Sequence, residues 1–83
     1  MYYVDTDSVA LDQIAALPTE ALSHYAQVLG VLELTPWNGA PYNDRKPDGI
    51  MRTLLFGTGR GKVIYLILED QRRVDVLTVM WLG

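Results

Sequence analysis

The sequence predicts an α+β domain: an N-terminal strand, a helical hairpin, then a three-stranded antiparallel meander. Three observations predict it. From Met51 to Glu69 the chain reads MRTLLF, GTGRG, KVIYLILE, two runs of branched and aromatic residues around a glycine-rich link, which is the pattern of a β-hairpin with a loop longer than two residues. Before it, apolar residues recur at helical spacing on either side of Pro18. After it, Val74 to Leu82 alternates as a closing strand.

In chain order, Tyr2, Tyr3 and Val4 form a short strand, and Asp5 to Ser8 turn the chain and cap a helix. The first helix runs from Ser8 or Val9 to Leu17, with Val9, Ala10, Ile14 and Leu17 as a partial apolar stripe, until Pro18 breaks it. Thr19 caps a second helix and Glu20 sits in its first turn, where the helix dipole favours a carboxylate. Leu22, Tyr25, Ala26, Leu29 and Leu32 carry its stripe to about Leu34, ahead of Pro36, and Gly30 costs it roughly 1 kcal/mol relative to alanine.

Thr35 to Ile50 reads as a long connecting loop, rich in proline, glycine and asparagine and decorated by Trp37, Tyr42, Arg45 and Lys46. Loops of this length in small domains are often working surfaces. Its aromatics either stack on bases or anchor the loop to the core. In the central hairpin Arg52, Leu54 and Phe56 share a face, and pairing Phe56 with Lys62 places Lys62, Ile64 and Leu66 on that face too. Arg52 and Lys62 then stand side by side, as phosphate-binding cations or as strand-end residues with packed stems. Glu69 to Arg73 make a polar turn. In the last strand Val74, Val76, Thr78, Met80 and Leu82 line one face and Asp75, Leu77, Val79 and Trp81 the other, so helices cover one side and something else part of the second.

At 83 residues the chain makes one domain near the lower limit of a self-sufficient core. It has no cysteine, hence no disulfide or thiolate metal site, and no basic leader or long apolar run, so a soluble cytoplasmic protein is expected. A net charge of -3 argues against broad attraction to nucleic acid; any RNA contact is local. His24, the single histidine, has no neighbouring nucleophile or carboxylate pattern to work with and no second ligand at metal spacing, and Asp44 and Asp48 lack calcium-loop spacing. No metal or cofactor is expected. GTGRG lies between strands and not before a helix, which removes the nucleotide-loop reading and leaves a turn with Arg60 exposed at its tip.

The element order, together with MRTLLF, GKVIY and LEDQRRVDVLTV, resembles the RelE/ParE superfamily of bacterial type II toxin-antitoxin toxins. VLELTPWNGAPYN with MRTLLFG and YLILEDQRRVDVL looks like a small-toxin branch associated with actinobacteria. The resemblance implies a microbial-ribonuclease-like sheet and, for the RelE-like members, ribosome-dependent mRNA cleavage (mRNA interferase activity) that arrests translation and growth. In that mechanism the 2'-hydroxyl attacks the adjacent phosphate. It implies Arg52 and Lys62 as the catalytic cations, Arg45, Lys46 and Arg60 as RNA contacts, and a cognate antitoxin, the ribosome and mRNA as partners. Where many such nucleases carry a cation on the last strand and a tyrosine or histidine beyond it, this sequence has Met80-Trp81-Leu82-Gly83. The same resemblance therefore also accommodates a ParE-like DNA gyrase inhibitor or a catalytically degenerate binding module.

Overall fold

The computed structural model describes residues 1–83. In chain order it contains β1 (Tyr3–Thr6), α1 (Ser8–Ala15), α2 (Thr19–Leu34), a 3-10 turn at Pro36–Asn38, β2 (Ala40–Pro41), β3 (Met51–Phe56), β4 (Gly61–Leu68), a second 3-10 turn at Glu69–Gln71, and β5 (Arg73–Trp81). The strands form one five-stranded sheet in the order β1-β5-β4-β3-β2. β1 lies parallel to β5, and the other neighbours are antiparallel.

Asp7 caps α1, its carboxylate accepting the Val9 amide. The helix stops at Ala15, short of the expected Leu17. Proline disfavours helical geometry in the residue before it, and the chain tightens through Leu17 N–H to Ile14 O ahead of Pro18. Pro18, not Thr19, is the cap of α2: its carbonyl accepts the Ala21 and Leu22 amides, with no side-chain cap. α2 sends Tyr25, Val28 and Leu32 onto the sheet, where they meet Phe56, Val63, Tyr65, Ile67, Val74, Val76 and Val79 in the core.

The sequence-predicted loop contains a fifth strand. β2 joins β3 through Ala40 and Pro41, opposite Thr53 and Arg52. The chain approaches the sheet this closely only because residue 39 is glycine: a Cβ there would collide with the Tyr65 hydroxyl and lie 2.7 Å from the Thr53 carbonyl.

Two registers differ from expectation, and both decide which face each side chain occupies. In the hairpin, Leu55 pairs with Lys62 and Phe56 with Gly61, so the loop is Gly57–Arg60. Gly61 belongs to the strand because the Phe56 ring covers it, leaving no room for a side chain. In the loop Gly57, Thr58 and Gly59 all have positive φ, which accounts for two of the glycines. In β5, Ile64 pairs with Thr78 and Tyr65 with Val76, leaving Leu77 as an unpaired bulge residue. Beyond the bulge the alternation inverts. Val74, Val76, Val79 and Trp81 face the helices, while Asp75, Thr78 and Met80 face away.

Candidate functional site

Both helices pack on one side of the sheet, and the other side is open. Along β4, Gly61, Val63, Tyr65 and Ile67 are buried, whereas Lys62, Ile64, Leu66 and Leu68 are only half-buried on the outer face. Met51, Thr53 and Leu55 extend that face across β3, and Thr78 and Met80 across β5. Leu55 is 63 % exposed. Lys62 stands at the hairpin end of this face, between Leu55 and Met80, and makes no ion pair, whereas Arg73, opposite Leu68 at the other end, is paired with Asp75 at 2.8 Å.

Arg52 is on the opposite face. The expected side-by-side cation pair is not present, because the one-residue change of register sends Lys62 outward while Arg52, opposite Tyr65, points toward the helix side. Arg52 is 8 % exposed. Its guanidinium donates to the Pro47 carbonyl at 2.8 Å, the Gly49 carbonyl at 3.2 Å and the Trp37 carbonyl at 3.5 Å, and lies 5.1 Å from the Trp37 ring centre. It ties the 35–50 connection to the sheet from beneath. A ligand on the outer face cannot reach it.

The remaining sequence-predicted cations divide between two places. Arg60 folds back from the hairpin tip, its guanidinium 4.7 Å from the Trp81 ring centre and 3.1 Å from the Glu20 carboxylate, so it is half-exposed and engaged. Arg45 and Lys46 are exposed on the turn Asn43–Lys46, which is closed by Lys46 N–H to Asn43 O at 2.9 Å and by Arg45 N–H to Asn43 Oδ1 at 3.0 Å. No distance-scale cluster joins Arg45 and Lys46 with Arg60: they sit at opposite ends of the hairpin. Trp37 is an anchor, its indole N–H donating to Glu69 Oε1 at 2.9 Å, whereas Tyr42 is 53 % exposed.

Glu69 is a structural centre that the sequence did not single out. It accepts from Trp37, from the Tyr2 hydroxyl at 2.7 Å and from Arg72 at 2.8 Å, and Arg72 also stacks 4.2 Å from the Tyr2 ring centre. The Trp37 and Tyr2 hydrogen bonds hold the Glu69 carboxyl below the usual carboxylate range, and the bond to Glu69 raises the Tyr2 hydroxyl. A lone glutamate after a strand carries no sequence signal for this role; its partners are 32 and 67 residues away. Burial also pushes the Tyr25 hydroxyl up to about 12, with no partner to satisfy it, and raises the Tyr65 hydroxyl, which donates to the Pro36 carbonyl at 2.6 Å. His24 lies beside Gly57 on the helix side, remote from the open face. Among the 83 residues no cluster of histidine, cysteine and carboxylate side chains could hold a metal ion. No helix is long and apolar enough to cross a membrane.

No protein-family model and no curated protein matches the sequence. Solved structures do match the fold. The isolated E. coli RelE toxin aligns over 100% of this chain and 86% of its own, with TM-score 0.81 and 14% identity. The intact E. coli RelBE toxin-antitoxin complex aligns over 95% and 94%, with TM-score 0.79 and 15% identity. The RelBE2 toxin-antitoxin complex of Mycobacterium tuberculosis aligns over 96% and 90%, with TM-score 0.72 and 21% identity. The whole chain, from β1 to β5, therefore has the RelE toxin fold.

Proposed function

We propose that this chain is the toxin of a type II toxin-antitoxin pair and that it arrests translation by acting on message through the open face of its sheet. The observation that carries the reading is the combination of a RelE fold over the full length with an uncovered, apolar sheet face around one unpaired lysine. An apolar strip of this kind on so small a domain suits a partner protein, here a cognate antitoxin that covers it when the toxin is silent. In the active state the same strip faces RNA.

The chemistry required is in-line attack of a 2'-hydroxyl, losing its proton, on the adjacent phosphate, which spreads negative charge over the phosphoryl oxygens before the bond to the 5'-oxygen breaks, leaving a 2',3'-cyclic phosphate and a protonated 5'-hydroxyl. On this reading Lys62 neutralises that charge, and its half-buried position among Leu55, Ile64 and Met80, where a cation acts more strongly than in water, supports the role. Arg45 and Lys46 flank the strand's far end as backbone contacts, and Arg60 joins them only by giving up Glu20. Arg52 acts by positioning the loop that carries Arg45 and Lys46. No imidazole stands on the open face, so proton transfer falls to water or to groups of the ribosome.

That same lack of an imidazole favours a second reading, inhibition of DNA gyrase through protein contacts, which needs no general base. One comparison separates the two. Purified protein added to a translation reaction yields cut message under the first reading; with gyrase and plasmid it yields cleaved or supercoiling-defective DNA under the second. Neither product leaves a binding module with this fold.

A further inference from the structure

The connection between β2 and β3 contains a pocket of about 420 Å³ lined by Tyr42, Asn43, Lys46, Gly49, Ile50 and Met51, within the range of roughly 300–1,000 Å³ typical of small-ligand sites. We propose that it is a nucleotide subsite: Tyr42 stacks on one unpaired base of a single-stranded RNA, the Asn43 amide donates to a carbonyl on that base, and Lys46 holds the adjoining phosphate. This deepens the reading above and rests on it.

Each part of the site has a reason to be where it is. Tyr42 is anchored by its backbone, N–H to Met51 O at 2.9 Å, while the residue as a whole is 53 % exposed. A ring that is fixed at its root and bare on its face is a stacking platform. Ile50 and Met51 supply apolar floor, and Ile50 is held by the Ile67 amide, 2.9 Å from its carbonyl. The Asn43 Oδ1 is occupied by the Arg45 amide, which orients the side chain and leaves its NH₂ without a partner in the chain. Lys46 makes no ion pair; Asp44 and Asp48 lie in the same loop but do not line the pocket.

The pocket is held open from below. Two successive turns, Lys46 N–H to Asn43 O and Gly49 N–H to Lys46 O, shape the loop, and buried Arg52 clamps the Pro47 and Gly49 carbonyls. Gly49 suits this closeness, since a Cβ there would stand 3.0 Å from the Lys46 carbonyl and push the turn slightly apart. A loop so restrained loses little further freedom when a ligand binds. The pocket reaches the outer face through Met51, and Lys62 lies opposite Leu55 on that same face, four residues or roughly 13 Å further along β3. The occupant must bring a flat surface for Tyr42, an acceptor for the Asn43 amide and an anion for Lys46, and a single nucleotide carries all three as its base face, base carbonyl and phosphate.

The test is direct binding without ribosomes. A mixed-sequence hexaribonucleotide is titrated into the full chain while the amide resonances are followed, for the wild type and for Tyr42→Ala, Tyr42→Phe and Lys46→Ala. The expected result is shifts centred on Tyr42, Asn43, Lys46 and Gly49, affinity about 5- to 50-fold weaker for Tyr42→Ala and near wild type for Tyr42→Phe, and a log–log salt slope lower by about 0.7 for Lys46→Ala. Equal affinity for wild type and Tyr42→Ala, or shifts absent from these residues, overturns the subsite. RNA binding that depends on Tyr42 in a protein that leaves translation untouched upholds the subsite and removes the message-cleavage reading. Translation arrest with Tyr42-independent RNA binding removes the subsite alone.

Discussion

Arg52 and Lys62 lie in adjacent strands and differ in what surrounds them. Removing Arg52 leaves the Pro47 and Gly49 carbonyls without their donor and the Trp37 ring without its cation, so Arg52→Ala is expected to cost about 2–4 kcal/mol in urea unfolding. Lys62→Ala, on the open face, is expected to stay within about 0.5 kcal/mol of wild type. Tyr25 behaves oppositely to Arg52. Its hydroxyl is buried without a partner, so Tyr25→Phe is expected to be neutral or stabilising at pH 7. Because folding raises this hydroxyl from 10.0 to about 12, the unfolded chain ionises first. The contribution of Tyr25 to stability is therefore flat below about pH 10 and falls between about pH 10 and 12; unfolding midpoints of wild type and Tyr25→Phe should diverge over that window. Glu69 has the other sign. Its folded value is depressed from 4.5, so the stability it contributes is present above that value and is lost as pH falls through the lower folded one; acid titration of Glu69→Gln should show a shallower decline.

At the level of elements, the β5 bulge decides the character of the sheet. Deleting Leu77 removes the extra residue and leaves Val76 opposite Tyr65 and Thr78 opposite Ile64 in simple alternation, so Thr78 and Met80 still face away and Val79 and Trp81 still face the helices. The deletion is therefore expected to keep cooperative unfolding, read by calorimetry, as is Leu77→Ala; loss of the transition in the deletion variant would contradict the bulge assignment. Here the sequence's legibility shows its limits. Helices on both sides of Pro18, the hairpin and the closing strand follow from period and punctuation, which are local. The bulge, the Gly61 contact with Phe56, and the β2 strand permitted by Gly39 all arise from partners distant in the chain, and no pattern within a short window encodes them. One residue of register separated a correct hairpin from a correct face. The same shift moved Arg52 from the candidate site to the support beneath it, while Lys62, Arg45 and Lys46 stayed at the surface, as their residue types suggested.

Across the whole molecule, two helices cover one face of the sheet, and the other is left with an apolar strip, one free lysine and, at its β3 edge, the loop pocket. A domain with so small a core and an uncovered face is expected to gain stability from whatever covers it; a cognate antitoxin at 100 times its dissociation constant would add about 2.7 kcal/mol. The parallel β1–β5 pair fixes the N-terminus across the sheet from that pocket, and the Tyr2–Glu69–Trp37 hydrogen bonds tie the two ends of the fold together. The most direct test of the open face as the working face is mapping of cut ends on message in a purified translation reaction with wild type and with folded Lys62→Ala. Cleavage by the wild type that falls at least tenfold in Lys62→Ala is the result expected; intact message with the wild type, or undiminished cleavage by Lys62→Ala, contradicts it.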